Sequence, residues 1–297
     1  MSLKKTIWLY ISYMGHGYRG LQSQSPDIPT VSGSIREALL ACLGQESDKE
    51  LKLRLSSRTD AGVHALVNIV STPIPQQLSN INLRNLQTEL NGVFSKNRDM
   101  IRVRDIHFSN DSVDCRKTLS KTYVYRLGLL PYEMAEVNMA TCDMSIMTYK
   151  TIGYIRKPKQ GFSFEKFARA GETLSGINDF SLFRVIPECV ERRCFQRVVR
   201  SCSISIKPGL PPALSPFSNS HFDKCEHWNI VVSGQGFMHK QVRYMVGAML
   251  SVGSGTLSLE RLKEMLNYPE FGMSSEEIRI AQPYGLYLTN LEFPENH

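Results

Sequence analysis

Ser56-Ser57-Arg58-Thr59-Asp60-Ala61-Gly62-Val63-His64 is a short polar segment set between two apolar ones. Before it, Leu51 to Leu55 alternates leucine with charge; after it, Leu66 to Thr72 is rich in β-branched residues, and both read as strands. Upstream, Ile35, Ala38, Leu39, Cys42 and Leu43 share one helical face, Ser34 and Glu37 have capping-box spacing, and Gly44 stands where a helix stops. Ile7 to Tyr13 reads as a strand and leads into a loop carrying Gly15, Gly17, Gly20 and Pro26. Downstream, Leu83 to Phe94 reads as a helix with Leu83, Leu86, Leu90 and Val93 inward, and Ile101 to Phe108 and Thr122 to Leu129 as strands.

The second half repeats this grammar after a weakly periodic connector from Pro131 to Gly161. Ser163 to Leu174 is a helix with the stripe Phe164, Phe167 and Ala168; Cys194 to Ile206 and Trp228 to Gly234 are strands around a Pro- and Ser-rich loop, Pro208 to Ser220. His239 to Leu250 is a helix with Val242, Met245, Val246 and Met249 inward. Ser258 caps a last helix with Leu259, Leu262 and Leu266 inward, and Leu286 to Phe293 is a closing strand. Strands that interleave with helices yet look half-buried predict an α/β chain of the α+β type, with mixed, largely antiparallel sheets rather than a doubly wound parallel one.

The chain has 297 residues, enough for one large or two smaller domains, and its 42% hydrophobic and 21% charged residues exclude a disordered or collagen-like chain. Thirty-five Lys and Arg against 28 Asp and Glu leave a net charge of +7, compatible with a polyanionic partner such as nucleic acid. No apolar run is long enough to cross a membrane. The N-terminus passes almost at once into strand alternation, so neither a secretory signal nor a long Arg/Ser-rich presequence is expected. The seven cysteines are scattered without a C-x-x-C pair, as suits free thiols in a reducing compartment.

Three constellations are candidates for chemistry. Gly15-His16-Gly17-Tyr18-Arg19-Gly20 matches G-x-G-x-x-G after a strand, but Ser23, Ser25 and Pro26 follow where a dinucleotide fold starts its helix, so a glycine-rich turn is expected and a nicotinamide enzyme is not. His221, Cys225 and His227, with Cys202, are zinc-ligand types whose spacing fits no common structural site, so no metal is expected. In the opening segment, Arg58, Asp60 and His64 stand around a glycine that permits an unusual backbone angle. Two readings stay open there. Arg58 and Asp60 pair on the surface or anchor a turn, or Asp60 is a nucleophilic carboxylate oriented by a cation and shielded from water.

Arg58-Thr59-Asp60-Ala61-Gly62-Val63-His64-Ala65 resembles the signature of the TruA-type tRNA pseudouridine synthases, and Ser56 to Asn68 resembles in particular the mitochondrial, tRNA-pseudouridine-synthase-like branch of animals. The resemblance continues in order. Tyr13 to Gly20 stands for the family's Y-D-G-T-x-F-x-G, Thr30 to Gly33 for T-V-Q-G, and Lys121 to Arg126 for its Tyr-x-Tyr strand. Asn178 to Phe183 stands for D-F-x-x-F, Phe237 to Gly247 for F-x-x-x-x-V-R-x-x-V-G, and Gly285 to Leu288 for G-L-Y-L. The departures are Met14 for Asp, His16 for Thr, Ser57 for Gly, Val113-Asp114-Cys115-Arg116 for F-H-A-R, and a missing L-P near Asp99. They touch substrate-facing loops and bear on which RNA is taken rather than on the reaction.

The resemblance implies a pseudouridine synthase fold of two halves, residues 1–115 and 116–297, with a central cleft, and isomerisation of uridine to pseudouridine in tRNA without metal or organic cofactor. It implies Asp60 as the catalytic carboxylate, Tyr123 packed on the target base and Arg243 paired with Asp60. Covalent addition to sugar or base and a glycal route are all compatible with one carboxylate. By pattern, Tyr123 also reads as a core strand aromatic, and Arg243 lies off its helix's apolar stripe, as a residue facing a cleft would. Arg58 corresponds to an arginine that enters the RNA stem when the target nucleotide flips out, which the buried position of the reacting atoms requires. Arg116, Lys117, Lys121 and Arg126 are candidate phosphate contacts, with Arg192, Arg193, Arg197 and Arg200 a second basic run. A homodimer acting on the anticodon stem-loop is expected, in mitochondria by the branch resemblance or else in the cytoplasm. The alternative from another class is a non-catalytic RNA-binding or ribosome-assembly factor on the same fold.

Overall fold

The computed structural model describes residues 5–44, 51–78, 80–109, 114–132, 150–185, 197–209, 225–272 and 276–294. The chain divides into two compact units, residues 1–121 with 287–297, and residues 122–286. The division thus falls six residues beyond the one expected between 115 and 116, and the closing strand joins the first unit rather than the second.

In the first unit, β1 (Thr6–Tyr13) pairs antiparallel with β3 (His64–Pro73) and with β4 (Ile101–Ser109). The other edge of β3 is shared. β10 (Leu286–Glu292) runs parallel to its start, Tyr287 against His64 and Leu288 against Ala65, and β2 (Arg54–Leu55) pairs antiparallel near its end. Only Arg54 and Leu55 of the expected strand Leu51–Leu55 pair with a neighbour. Between Asn68 and Ala65 the register on β1 slips, so three steps on β3 match two from Ile11 to Tyr13, a bulge that turns Leu66 outward.

α1 (Val31–Leu43) starts four residues earlier than the capping-box reading of Ser34. Thr30 is the cap, its hydroxyl accepting from Gly33 N, while the Ser34 hydroxyl donates to Asp99 instead. Gly44 ends the helix at φ +91, where a side chain would be strained. α2 (Leu83–Asn97) buries Leu86, Leu90 and Phe94 and packs on β4 and α1. Away from the helices, Trp8, Ile69 and Cys115 form a small core closed by Tyr10, Leu291 and Phe293.

Gly92 in α2 has nothing within 4 Å of where a Cβ would stand. Gly92→Ala is therefore expected to stabilise the protein by about 0.5–1 kcal/mol through helix propensity alone, read as a rise in thermal midpoint.

In the second unit the strand order is β5 (Ser120–Leu130, from Thr122 onward), β9 (Glu226–Gly234), β8 (Val199–Pro208), β7 (Gly176–Asp179), with β6 (Gly153–Arg156) parallel to β5. β7–β8 and β8–β9 are antiparallel. Each unit therefore holds a mixed, mostly antiparallel sheet with helices, as the periodicities predict. β6 and β7 have no counterpart in the sequence reading, because four residues are too few to show a period. Most of the expected connector, residues 133–149, lies outside the described residues, as do Cys194 at the head of the expected strand and the loop 210–220.

α3 (Phe164–Leu174) is capped by Ser163 and buries Phe167, Ala170, Gly171 and Leu174 rather than the stripe expected from Phe164 and Ala168. α4 (Gln241–Gly253) is buried nearly all round, with Val242, Met245, Val246 and Met249 inward as predicted. α5 (Leu259–Asn267) is capped by Ser258 and buries Leu262, Met265 and Leu266. Among the described residues no helix is long and apolar enough to cross a membrane.

Candidate active site

The polar segment between β2 and β3 forms a tight turn. Val63 N donates to Asp60 O at 3.1 Å, and Gly62 at φ +79 takes the left-handed position such a turn needs. Its flanks are anchored inside the protein. Ser56, Ser57 and Thr59 are buried; Arg58 and Ala61 are exposed; Asp60 is half-buried between them. A buried network holds the entry: Tyr13 Oη and Thr59 Oγ1 share a hydrogen bond at 2.8 Å, and Asn68 Nδ2 donates to Tyr13 Oη at 3.2 Å and to Ser57 O at 3.0 Å. Asn68 Oδ1 accepts from Ile69 N, so the amide uses both faces. Sequence reading passed over Tyr13 and Asn68. The available signal was one uncharged amide inside the apolar run from Leu66 to Thr72, since such a group is buried only with partners.

The glycine-rich loop lies on this turn. Gly15–Gly17 is one turn of 3₁₀ helix, Tyr18 after it is extended, and α1 begins only at Val31, so the loop is a turn, as read, and aims no helix at a phosphate. A Cβ on Gly15 would stand 2.0 Å from Val63 O, and Gly20, at φ +112, approaches Thr59 O. Leu21 N donates to Thr59 O at 3.1 Å. The loop's outer side is fixed by Tyr18 Oη donating to Asp99 Oδ1 at 2.7 Å and Met14 N to Met100 O at 3.0 Å. Asp99 thus does the holding near the place where the family's L-P is missing.

Basic residues follow the turn unevenly. Lys121 Nζ donates to Ser56 O at 2.6 Å; burial, then the charge of Arg58, pulls its ammonium below the usual lysine range. Two cations held this close favour an anion beside them. Arg58 also reaches Gln22 Oε1 at 3.5 Å. Arg116 is engaged locally: its guanidinium forks onto Asp114, with Nη2 at 2.6 Å, and holds that carboxyl down at about 2. Lys117 is exposed beside it.

The remaining expected residues belong to the second unit. Tyr123 is 7% exposed and meets Phe237 edge to face at 5.5 Å, which fits the reading of it as a strand aromatic. Arg126 has the opposite strand parity, and its charge, after burial, lowers His227. Arg243 is 8% exposed, so its place off the apolar stripe is not an open face. The segment running past α4 covers that side: Arg243 Nε donates to Ala281 O at 2.8 Å, and Ala281 N returns a bond to Arg243 O at 3.1 Å. The positive charge of Arg243 also bears on the buried Tyr125 hydroxyl, whose acidity burial suppresses. Tyr125 fits because Gly153 and Gly285 have no side chains; a Cβ on Gly153 would stand 2.1 Å from Tyr125 Oη.

Of the second basic run, Arg197 spans Asp179 and Glu270, and Arg192 and Arg193 lie outside the described residues. So does His221 of the zinc candidates. Cys202 pairs with Gly234, seven residues from His227 on the same strand, which separates them by about 23 Å, so Cys202 cannot join them. Burial pushes the Cys225 thiol up to about 12. Among the described residues no group of His, Cys, Asp or Glu could hold a metal ion.

Comparison with known proteins follows the same line. A sequence profile described as tRNA pseudouridine synthase matches residues 170–294. The tRNA pseudouridine synthase A of Chlamydia pneumoniae is 26% identical, covering 93% of this chain and 92% of its own. That of Wolinella succinogenes is 27% identical, covering 97% and 94%. The tRNA pseudouridine synthase A 2 of a Bacillus cereus strain is 26% identical, covering 96% and 98%. Among solved structures, a Cbf5–Nop10–Gar1 complex aligns with 82% of this chain and 45% of its own at 11% identity and a TM-score of 0.31. The similarity to proteins named tRNA pseudouridine synthase A thus runs over nearly the whole of this chain and of each relative.

Proposed function

We propose that this protein isomerises uridine to pseudouridine in tRNA, with Asp60 as the catalytic carboxylate. The observation that carries the reading is the Asp60 turn: a half-buried carboxylate on a backbone pinned by Thr59, Val63 and the glycine loop, in a chain similar end to end to enzymes named for this reaction. In the reaction the bond from N1 of uracil to C1′ breaks, the base turns, and C5 bonds to C1′. The hydrogen at C5 leaves to solvent as a proton and another is taken up at N1, so atoms and electrons balance without a redox partner. Asp60 supports this as a nucleophile or a base at the sugar or the ring. The proposal gives Tyr123 the face of the base and Arg243 the role of cation for the carboxylate. Flipping the nucleotide costs a few kcal/mol, which phosphate contacts offset. Arg58, Lys121 and the exposed Lys117 are the proposed contacts on the first unit and Arg126 on the second; Arg116 contributes less charge because Asp114 neutralises it.

The proposed target is the anticodon stem-loop, the proposed assembly a homodimer, and the proposed compartment the mitochondrion, on the resemblance of Ser56–Asn68 to the animal mitochondrial branch. The test uses purified protein and tRNA labelled with tritium at C5 of uridine. Release of tritium to water, up to one equivalent per modified site, is the expected result. Binding without release would replace this reading by the non-catalytic RNA-binding alternative. Base-resolved mapping of pseudouridine and light scattering then test the position and the dimer.

A further inference from the structure

We infer that His64 is a positioning residue for the reaction: a neutral imidazole carrying its hydrogen on Nε2, whose Nδ1 lone pair holds the glycine loop down on the Asp60 turn. The inference rests on the proposed role of Asp60. His64 is 0% exposed, and Gly15 N donates to its Nδ1 at 2.9 Å. A backbone N–H can be accepted only by a bare ring nitrogen, so the bond fixes the tautomer. Two other rings meet it. Tyr287 of β10 stacks on it at 4.6 Å and 30°, and His16 meets it edge-on at 6.3 Å.

The two ends of the loop touch the turn on either side of Asp60. Before Asp60, Leu21 N is bonded to Thr59 O. After it, Gly15 sits so close that a Cβ would stand 2.0 Å from Val63 O, and the His64 ring fastens it there by a directed bond from a side chain. Asp60 lies between the two pins. Releasing the second lets the turn shift without unfolding the sheet, and a displacement near 1 Å is enough to cost a reaction about 10²-fold.

Asparagine separates this role from mere filling of space. Its Oδ1 stands one bond beyond Cγ, as Nδ1 does, and can accept the same N–H. Leucine cannot, and leaves a buried N–H without a partner. With tritium release as the assay, His64→Asn is expected to keep kcat within about 3-fold of wild type. His64→Leu should lower kcat by about 30-fold or more, with KM for tRNA moved by less than about 3-fold. Hydrogen exchange gives a readout that needs no activity: the Gly15 amide stays protected in wild type and His64→Asn and loses protection in His64→Leu. Nitrogen NMR of the wild-type imidazole is expected to show a bare Nδ1 and a protonated Nε2. Wild-type kcat in His64→Leu, an equal loss in both variants, or a protonated Nδ1 would each overturn the inference. If wild type releases no tritium, the catalytic reading fails by itself, while the exchange and NMR measurements still decide whether the clamp exists.

Discussion

Asp60→Asn is expected to lower pseudouridine formation by at least about 10³-fold while tRNA binding changes by less than a few fold. Asparagine has nearly the same shape but carries no charge and cannot act as a nucleophile or base. Bonds made by the Asp60 carbonyl, the Thr59 carbonyl and hydroxyl, and the Val63 amide brace the turn through groups other than the carboxylate. The substitution therefore leaves those braces in place, and the thermal midpoint should move little. RNA affinity in such proteins comes mainly from cations on phosphates, so binding should keep its dependence on salt. The measurement is single-turnover tritium release beside a binding isotherm on the same tRNA. Turnover near wild type would remove Asp60 from the mechanism. A parallel loss of binding and melting temperature would make it a structural residue.

The second large effect is expected at Gly247 in α4. A Cβ there would stand 2.3 Å from Arg279 O and 3.2 Å from the Ile278 side chain. The first obstacle is backbone, so relief requires moving the segment 278–281 or the helix itself. Alanine brings a helix-propensity gain of about 1 kcal/mol, which opposes an overpacking cost of about 3 kcal/mol or more at a contact this short. Gly247→Ala should thus destabilise the protein by about 2 kcal/mol, a fall of about 4–8 °C in thermal midpoint. Activity should fall as well, because the same segment grips Arg243 through Ala281 in both directions. The contrast is with Gly92, the open helix glycine, where the same substitution is expected to raise the midpoint. If both variants moved the midpoint alike, the close approach at Gly247 would be refuted.

Elements with several turns or alternations were readable because periodicity reports burial directly: α4, β1 and β3 follow their patterns, and α2 does so at Leu86 and Leu90, with Phe94 buried where Leu83 and Val93 are only half-buried. The start of α1 was misread because Thr30 and Ser34 are both good caps, and the choice is made by Asp99, which takes the Ser34 hydroxyl for itself. The Asp60 segment stood out by its polarity between apolar runs, but its bracing did not. Tyr13, Asn68 and His64 are drawn together by sheet register and by a bulge, and neither has a local signature. Arg116 read as one of a row of cations because sequence counts charges; its neighbour Asp114 removes much of that charge from play. Arg243 read as a residue free to face a cleft; its bond to Ala281 O had no local signature, because that partner comes from 38 residues further on.

The parallel pairing of Tyr287 and Leu288 with His64 and Ala65 has a consequence for biosynthesis. A nascent chain that has emerged only as far as residue 121 lacks the partner for one edge of β3, the ring that stacks on His64, and the Leu291 and Phe293 side chains that close over Trp8. The whole of the intervening unit must leave the ribosome before that gap can be closed. The segment bearing Asp60 is therefore expected to reach its final order last, and a release truncated before residue 286 should be sticky at an open strand rather than a quiet half-enzyme.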